Sequence, residues 1–415
     1  MATDGPVLPL LGVRVLDLTR NVAGPYAAMI LGELGADVVK VEHPGRGDDT
    51  RQWGPPFWGG DGPIYLAMNR NKRSVTVDLG ARSARPIMER LVDQADVLIE
   101  SFRPGALDRL GYGYDWAAAR NPRLLYCSVT AYGDGGPLRD RPGYDPLMQA
   151  FAGIMAMTGE PGGEAVRAGV SIIDMGTGMW AALGLVAALR RREETGRGER
   201  VVTALYETAL AWMSYHLTTH WAGATPRRYG SGTSTIAPYE AFATADGRLM
   251  IAAGNDALFG RLCEALGLPG LAAEERFRGN ADRVRNRDAL HVAIEVATTA
   301  WQTEALADAL VAAGVPCSPI RSVPEVAEDA QAAALGMFQR HPGLGEMPSV
   351  GLPLRIGGER PPLRQAPPKR GEHNREVLAE LGFAAAEVEA LLESEAMGAT
   401  GPGGTGEPGG ASGQG

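Results

Sequence analysis

The chain has 415 residues with 40 basic against 49 acidic side chains, a net charge of −9, and so lacks the basic excess of a dedicated nucleic-acid binder. With 45% hydrophobic residues and length enough for two or three domains, it is predicted to bury a sizeable core. Its 56 glycines and 29 prolines stay below the share that marks a low-complexity chain. Cys127, Cys263 and Cys317 are odd in number and far apart, which excludes a disulfide framework or a CxxC metal site and fits a reducing, cytoplasmic compartment. The longest uninterrupted apolar stretch of helical texture, Met179 to Leu189, is far short of the ~20 residues of a membrane span. Asp4, Pro6 and Pro9 stand where a signal peptide would be basic and then apolar. The expectation is a soluble intracellular protein with neither a membrane nor a nucleic-acid partner.

In chain order, strands are predicted at Val13–Leu18, Asp37–Val41, Ser74–Leu79, Asp96–Glu100 and Leu124–Val129. A helix over Tyr26–Leu34 follows the punctuation Gly24-Pro25, and another covers Ala84–Gln94. Val-, Ile- and Leu-rich strands alternating with helices predict right-handed crossovers and a mostly parallel sheet, an α/β fold. A long helix is expected from Asp174 to about Arg192, then a strand Arg200–Ala204 and a helix Tyr206–Trp221. Beyond the polar stretch Arg227–Thr233, Tyr239–Phe242 and Leu249–Ala253 read as a hairpin joined by a tight type I′ turn at Asp246-Gly247. Helices are expected at Leu258–Leu266 and Asp288–Ala313. The texture divides the chain into 1–224, a smaller α/β domain at 225–325, and 326–397 returning to the first domain. Residues 398–415, with nine glycines, are expected to be a disordered tail.

No GxxxxGK[ST] loop, GxGxxG turn, HExxH or GxSxG elbow is present, which demotes P-loop NTPases, α/β-hydrolases and the usual dinucleotide binders. His216 and His220 are four apart on a predicted helix, but no third metal ligand is suggested nearby, so no metal is expected. Asp174 sits between apolar segments at a helix start. It reads either as a helix cap or as a carboxylate that Gly169, Gly176 and Gly178 would let a bulky ligand approach. The cluster Arg70-Asn71-Lys72-Arg73 is either a solvated loop or an anion site. Asp48 to Trp53 follows the second strand, where such sheets make ligand contacts. Gly143-Tyr144-Asp145-Pro146 reads as a turn with Asp145 starting the next helix.

Taken together, these segments resemble the class III (CaiB/BaiF type) CoA-transferases. The resemblance runs through Leu16-Asp17-Leu18-Thr19, Ala23-Gly24-Pro25, Leu34 to Glu42, Asn69 to Ser74, Glu100 to Gly105, Gly143-Tyr144-Asp145, Asp174 with Thr177-Gly178-Met179, and Thr195 to Gly198, in order over residues 8–395. Asp48-Asp49-Thr50-Arg51, Trp53 to Pro56, Ile236 to Tyr239 and Ala253-Gly254-Asn255 are most similar to the succinyl-CoA-dependent dicarboxylate branch (succinate–hydroxymethylglutarate and glutarate CoA-transferases).

The resemblance implies a Rossmann-like large domain built from both chain ends, a small central α/β domain, and a homodimer of interlocked chains. It implies CoA transfer from an acyl-CoA, succinyl-CoA in that branch, to a small dicarboxylic acid, with Asp174 as the catalytic carboxylate. The intermediates would be an aspartyl anhydride and an aspartyl-CoA thioester, and no cofactor beyond CoA itself is needed. By position it places Lys72, Arg73, Ser101, Phe102, Arg109, Tyr144 and Asp145 at CoA. A distal substrate carboxylate calls for an arginine, for which Arg20, Arg51 and Arg167 are the candidates. Val22 stands where a relative has glutamine, which removes a polar group there. Ser231-Gly232-Thr233-Ser234 replaces the glycine-rich loop of formyl-CoA-type relatives, which argues against oxalate or formate. The same scaffold also carries α-methylacyl-CoA racemases, whose histidine base falls at Tyr144, a poor base near neutral pH, and carnitine-type CoA-transferases. Both remain alternatives.

Overall fold

Six short runs rich in β-branched and aliphatic residues form one sheet: β1 Arg14–Asp17, β2 Asp37–Glu42, β3 Arg73–Thr76, β4 Val97–Glu100, β5 Leu125–Thr130 and β6 Arg200–Ala204. Their order is β3-β2-β1-β4-β5-β6, and every neighbouring pair is parallel. The structure, a computed structural model, describes residues 8–341 and 347–398. Apart from Gly398, the tail expected over 398–415 lies outside the described residues.

The strands β3, β4 and β5 are buried along their whole length, as a parallel sheet covered on both faces requires. On one face Leu16, Leu98 and Tyr126 meet Ile87, Met88 and Val92 of the helix Arg85–Gln94, together with Val377, Leu378 and Phe383 from near the C-terminus. The helix Ala23–Glu33 begins three residues earlier than expected, so Gly24 and Pro25 lie inside its first turn, where a missing N–H costs no helical hydrogen bond.

The apolar stretch expected to end at Leu189 belongs to a longer helix, Ile172–Thr195, of 24 residues. With a mean hydropathy of 1.6 over its most apolar window it is long and apolar enough to cross a membrane, which corrects the expectation drawn from length. Half of that window is buried within the protein. Gly178 explains its seat: a Cβ there would stand 2.5 Å from the Ala23 carbonyl oxygen and 3.1 Å from the Tyr26 side chain. The expected opening for a ligand at Gly178 is therefore filled by the helix Ala23–Glu33.

The chain divides into two compact units. One comprises residues up to Met148, Ser171–Leu210 and those from Ala333 on; the other comprises Gln149–Val170 and Ala211–Ala332. These limits differ from those drawn at 224 and 325, because the segment before the long helix and the helix Ser214–Trp221 both fall in the second unit. That unit holds an antiparallel sheet of β7 Tyr239–Ala243, β8 Arg248–Ala252 and β9 Cys317–Pro319 over a core that includes Phe242, Ile251, Phe259 and Leu306. Its hairpin has no two-residue turn. Ala243 pairs with Arg248, leaving a four-residue loop in which the Thr244 N–H donates to the Gly247 carbonyl. Asp246 instead accepts the Thr303 N–H at 2.8 Å, starting a helix at Thr303. The single helix expected over 288–313 is thus two, Arg287–Thr298 and Thr303–Ala312. The one expected over 206–221 is also two, Leu205–Trp212 and Ser214–Trp221.

Candidate active site

The strand order places a topological switch between β1 and β4, whose connections leave in opposite directions. In open α/β sheets, ligands bind at the carboxyl ends of such a pair. A cavity of about 410 Å³ opens there, walled by the loop after β1 and the first turn of Ala23–Glu33, by the loop after β4, and by Arg139 to Tyr144. Asp174 lies on its wall.

Asp174 occupies the first turn of Ile172–Thr195 but does not cap it. The carboxylate of Asp145 does that work, accepting the N–H groups of Ile173 at 2.7 Å and Asp174 at 3.1 Å. Asp145 is buried, so it touches the site from behind rather than lining it. Relieved of capping, the Asp174 carboxylate has no hydrogen-bond partner among the described residues. Burial, and secondarily the neighbouring Asp145 charge, raise its pKa from 3.8 to about 7, since both disfavour a second negative charge in a poorly solvated place.

The same cavity is lined by residues with free backbone donors. The first turn of a helix leaves its N–H groups unsatisfied, and those of Val22, Ala23 and Gly24 have no acceptor among the described residues. Positive charge surrounds the rest of the cavity. Arg20, Arg103, Arg109, Arg139 and Arg141 line it, and Asp174 is the sole acid among the lining residues. Arg103, Arg109 and Arg141 make no side-chain hydrogen bond or ion pair among the described residues. Arg20 is only loosely held, by Asp49 at 3.4 Å.

Of the predicted site residues, the cavity gathers Asp174, Ser101, Phe102, Arg109, Tyr144 and Arg20, together with Trp53 from the loop after β2. It does not gather Lys72, Arg73 or Arg51. Lys72 is fully buried and bonded to Asp17 and Asn69, and Arg73 is consumed by Asp37, Glu376 and Glu380. Lys72 has no proton left for a phosphate, its third going to the Pro25 carbonyl at 2.9 Å, and Arg73 is neutralised by three carboxylates and is not part of the cavity lining, which corrects their assignment to CoA. Arg51 is likewise spent, on Glu42 at 2.7 Å, Asp61 at 2.9 Å and the Pro368 carbonyl at 3.0 Å. Arg167 lies in the second unit. Sequence reasoning missed Arg103, Arg139 and Arg141 as cavity-lining cations. Their nearness to Phe102 and Tyr144 along the chain was the available signal.

The model of CoA-transferase family III matches residues 10–374. The chain belongs to that family. As a CoA-transferase it is similar over most of its length to curated relatives. The succinate–glutarate CoA-transferase of Agrobacterium fabrum is 39% identical over 90% of this chain and 96% of its own. The acetyl-CoA:oxalate CoA-transferase of Acetobacter aceti is also 39% identical, over 92% of this chain and 98% of its own. Among solved structures, a CaiB/BaiF family protein from Brucella suis superposes with a TM-score of 0.81 at 40% identity, covering 90% of this chain and 99% of that one. The α/β expectation and the family resemblance both hold.

Proposed function

We propose that this CoA-transferase moves CoA from succinyl-CoA to a small dicarboxylic acid, with Asp174 as the nucleophile. The observation that carries the reading is an Asp174 carboxylate without a hydrogen-bond partner among the described residues, on the wall of an arginine-lined cavity at the sheet's switch point. An oxygen of Asp174 bonds to the thioester carbon, the C–S bond breaks, and CoA leaves as thiolate while a mixed anhydride remains. The thiolate then attacks the Asp174 carbonyl of that anhydride, releasing succinate and leaving an aspartyl-CoA thioester. The acceptor carboxylate attacks this thioester, and the freed thiolate takes the acceptor's acyl group, restoring Asp174. A thioester is exchanged for a thioester throughout, so no nucleotide hydrolysis is needed.

The orphan amides of Val22, Ala23 and Gly24 support stabilisation of the tetrahedral oxyanions, the term that usually dominates such reactions. Their usefulness does not depend on the side chain of Val22, so the loss of a glutamine there is tolerated. Arg103, Arg109 and Arg141 suit the CoA phosphates, and Arg20 is the candidate for the acceptor's distal carboxylate that lines the cavity. The relatives named for glutarate favour a dicarboxylate of that size. Two copies of the chain acting together fit the apolar side chains that the long helix exposes, Met179, Leu183 and Val186.

Purified enzyme incubated with succinyl-CoA and a panel of acids, including glutarate, hydroxymethylglutarate, oxalate and carnitine, is expected to form a dicarboxylyl-CoA and succinate. Absence of any new CoA ester, from a protein that binds CoA, refutes the reading. Asp174→Ala should abolish transfer and keep CoA binding, and light scattering should report a dimer. Deuterium wash-in at the α-carbon of a 2-methylacyl-CoA without transfer would instead identify a racemase.

A further inference from the structure

Behind the cavity loop lie four charged side chains with no exposure at all: Asp17, Lys40, Asp48 and Lys72. Burying such groups costs several kcal/mol each even when they are paired, and apolar replacements of similar volume often serve stability as well or better. Their hydrogen bonds show what they do beyond neutralising one another. The Lys40 ammonium donates to the carbonyl of Thr19 at 2.9 Å while pairing with Asp48 at 2.9 Å. The Lys72 ammonium divides its three protons among the Pro25 carbonyl, Asp17 and Asn69, each at 2.9 Å. One ammonium thus holds each end of the segment Thr19–Pro25. The two carboxylates finish the job from the N–H side. Asp17 accepts from the Thr19 amide at 2.9 Å, and Asp48 from the Asn21 amide at 3.3 Å. Asn21 has a φ of +70°, a conformation that costs a side-chain-bearing residue energy and persists where the surroundings enforce it.

We propose that Lys40 and Lys72 are positioning residues for acyl transfer: by anchoring the Thr19 and Pro25 carbonyls they hold the Val22–Gly24 amides where the oxyanion forms as Asp174 attacks. The inference rests on the reading of Asp174 as nucleophile. In that step the Asp174 oxygen bonds to the thioester carbon, the carbonyl π electrons move to oxygen, and no proton is transferred. The new negative charge must therefore meet donors already in place. Neither lysine touches substrate. Their effect should fall on the rate of bond formation, and CoA affinity, which depends on the arginines across the cavity, should be spared.

The test is a rapid-quench measurement of the aspartyl-CoA adduct, read by intact mass after mixing with succinyl-CoA, beside calorimetric binding of free CoA and a thermal melt. Lys72→Met is expected to slow adduct formation by about 100-fold, the scale of an ångström-sized misplacement, with CoA affinity within about twofold of wild type. Adduct formation at the wild-type rate, or a loss of CoA affinity matching the loss of rate, overturns the proposal. If Lys72→Met does not fold, Asn69→Ala removes one acceptor from Lys72 and leaves every charge in place. It is expected to slow the adduct roughly fivefold, the worth of one hydrogen bond, and an unchanged rate overturns the proposal. Wild-type enzyme that forms no adduct while still transferring CoA refutes the nucleophile reading itself, a result distinct from either variant's.

Discussion

The carboxylate of Asp145 accepts the backbone N–H of Asp174 at 3.1 Å, so a fixed negative charge stands directly behind the proposed nucleophile. The contact orients the first turn of the helix, and the same charge makes Asp174 harder to ionise.

The pH dependence follows from this pair. In the proposed mechanism only the ionised Asp174 attacks, and its pKa is raised to about 7 by burial first and Asp145 second. The single-turnover rate is expected to rise with pH through about 7. Burial pulls the Lys72 ammonium down to about 8, with Lys40 adding to that pull and Asp17 and Asp48 opposing it. A second, alkaline fall in rate should begin there. Folding carries the complementary sign. A carboxyl group whose folded pKa lies above its unfolded one supports the fold at low pH and ceases to as pH rises. Asp174→Asn should therefore melt above wild type at pH 8, with the difference closing toward pH 4. An unchanged difference across that range would show that Asp174 titrates normally.

Replacing Arg103, Arg109 or Arg141 singly by alanine should weaken CoA binding by about 10- to 100-fold, since charge-assisted hydrogen bonds are worth roughly 1.5–3 kcal/mol. Binding isotherms at two salt concentrations would also show a shallower salt dependence in the variants. Loss of kcat with unaltered CoA affinity would remove these residues from phosphate binding.

Arg51→Met breaks a buried network and is expected to cost about 3–5 kcal/mol of stability. In the fraction that folds, KM for the acceptor acid should be unchanged. A large rise in that KM without destabilisation would return Arg51 to the substrate site.

Gly178→Ala places a methyl group 2.5 Å from the Ala23 carbonyl oxygen. The overpacking should cost about 1–3 kcal/mol, lowering the melting temperature by several degrees. A melt indistinguishable from wild type would mean that the two helices can part without penalty.

Much of the fold could be read along the chain because its signals are local. Val15-Leu16 and Val38-Val39 are apolar on both sheet faces, and the intervening helix is closed by Gly35, whose φ of +112° suits glycine alone. Asp174 was marked out by its apolar setting, although a carboxylate in a first turn looks the same whether it caps or reacts. What removes the capping role is Asp145, 29 residues away in sequence. The fates of Lys72, Arg73 and Arg51 were hidden for the same reason. A basic residue that ends at a phosphate and one that ends at a buried carboxylate share their local sequence; Asp17 and Glu376 come from distant segments, and Glu42, nine residues before Arg51, sits on a different element. The helix breaks at Met213 and near Thr299 were equally silent, since neither carries proline or glycine.

The seat of Gly178 against Ala23 packs the start of one helix directly on the start of the other, so the proposed nucleophile and the proposed backbone donors are carried on two helices in close contact. Trp53, Arg139 and Arg141 hang from other loops of the cavity wall. Such a division lets ancestry change the acid without rebuilding the chemistry. Relatives named for glutarate and for oxalate stand at the same 39% identity to this chain, so overall likeness does not separate the two acids.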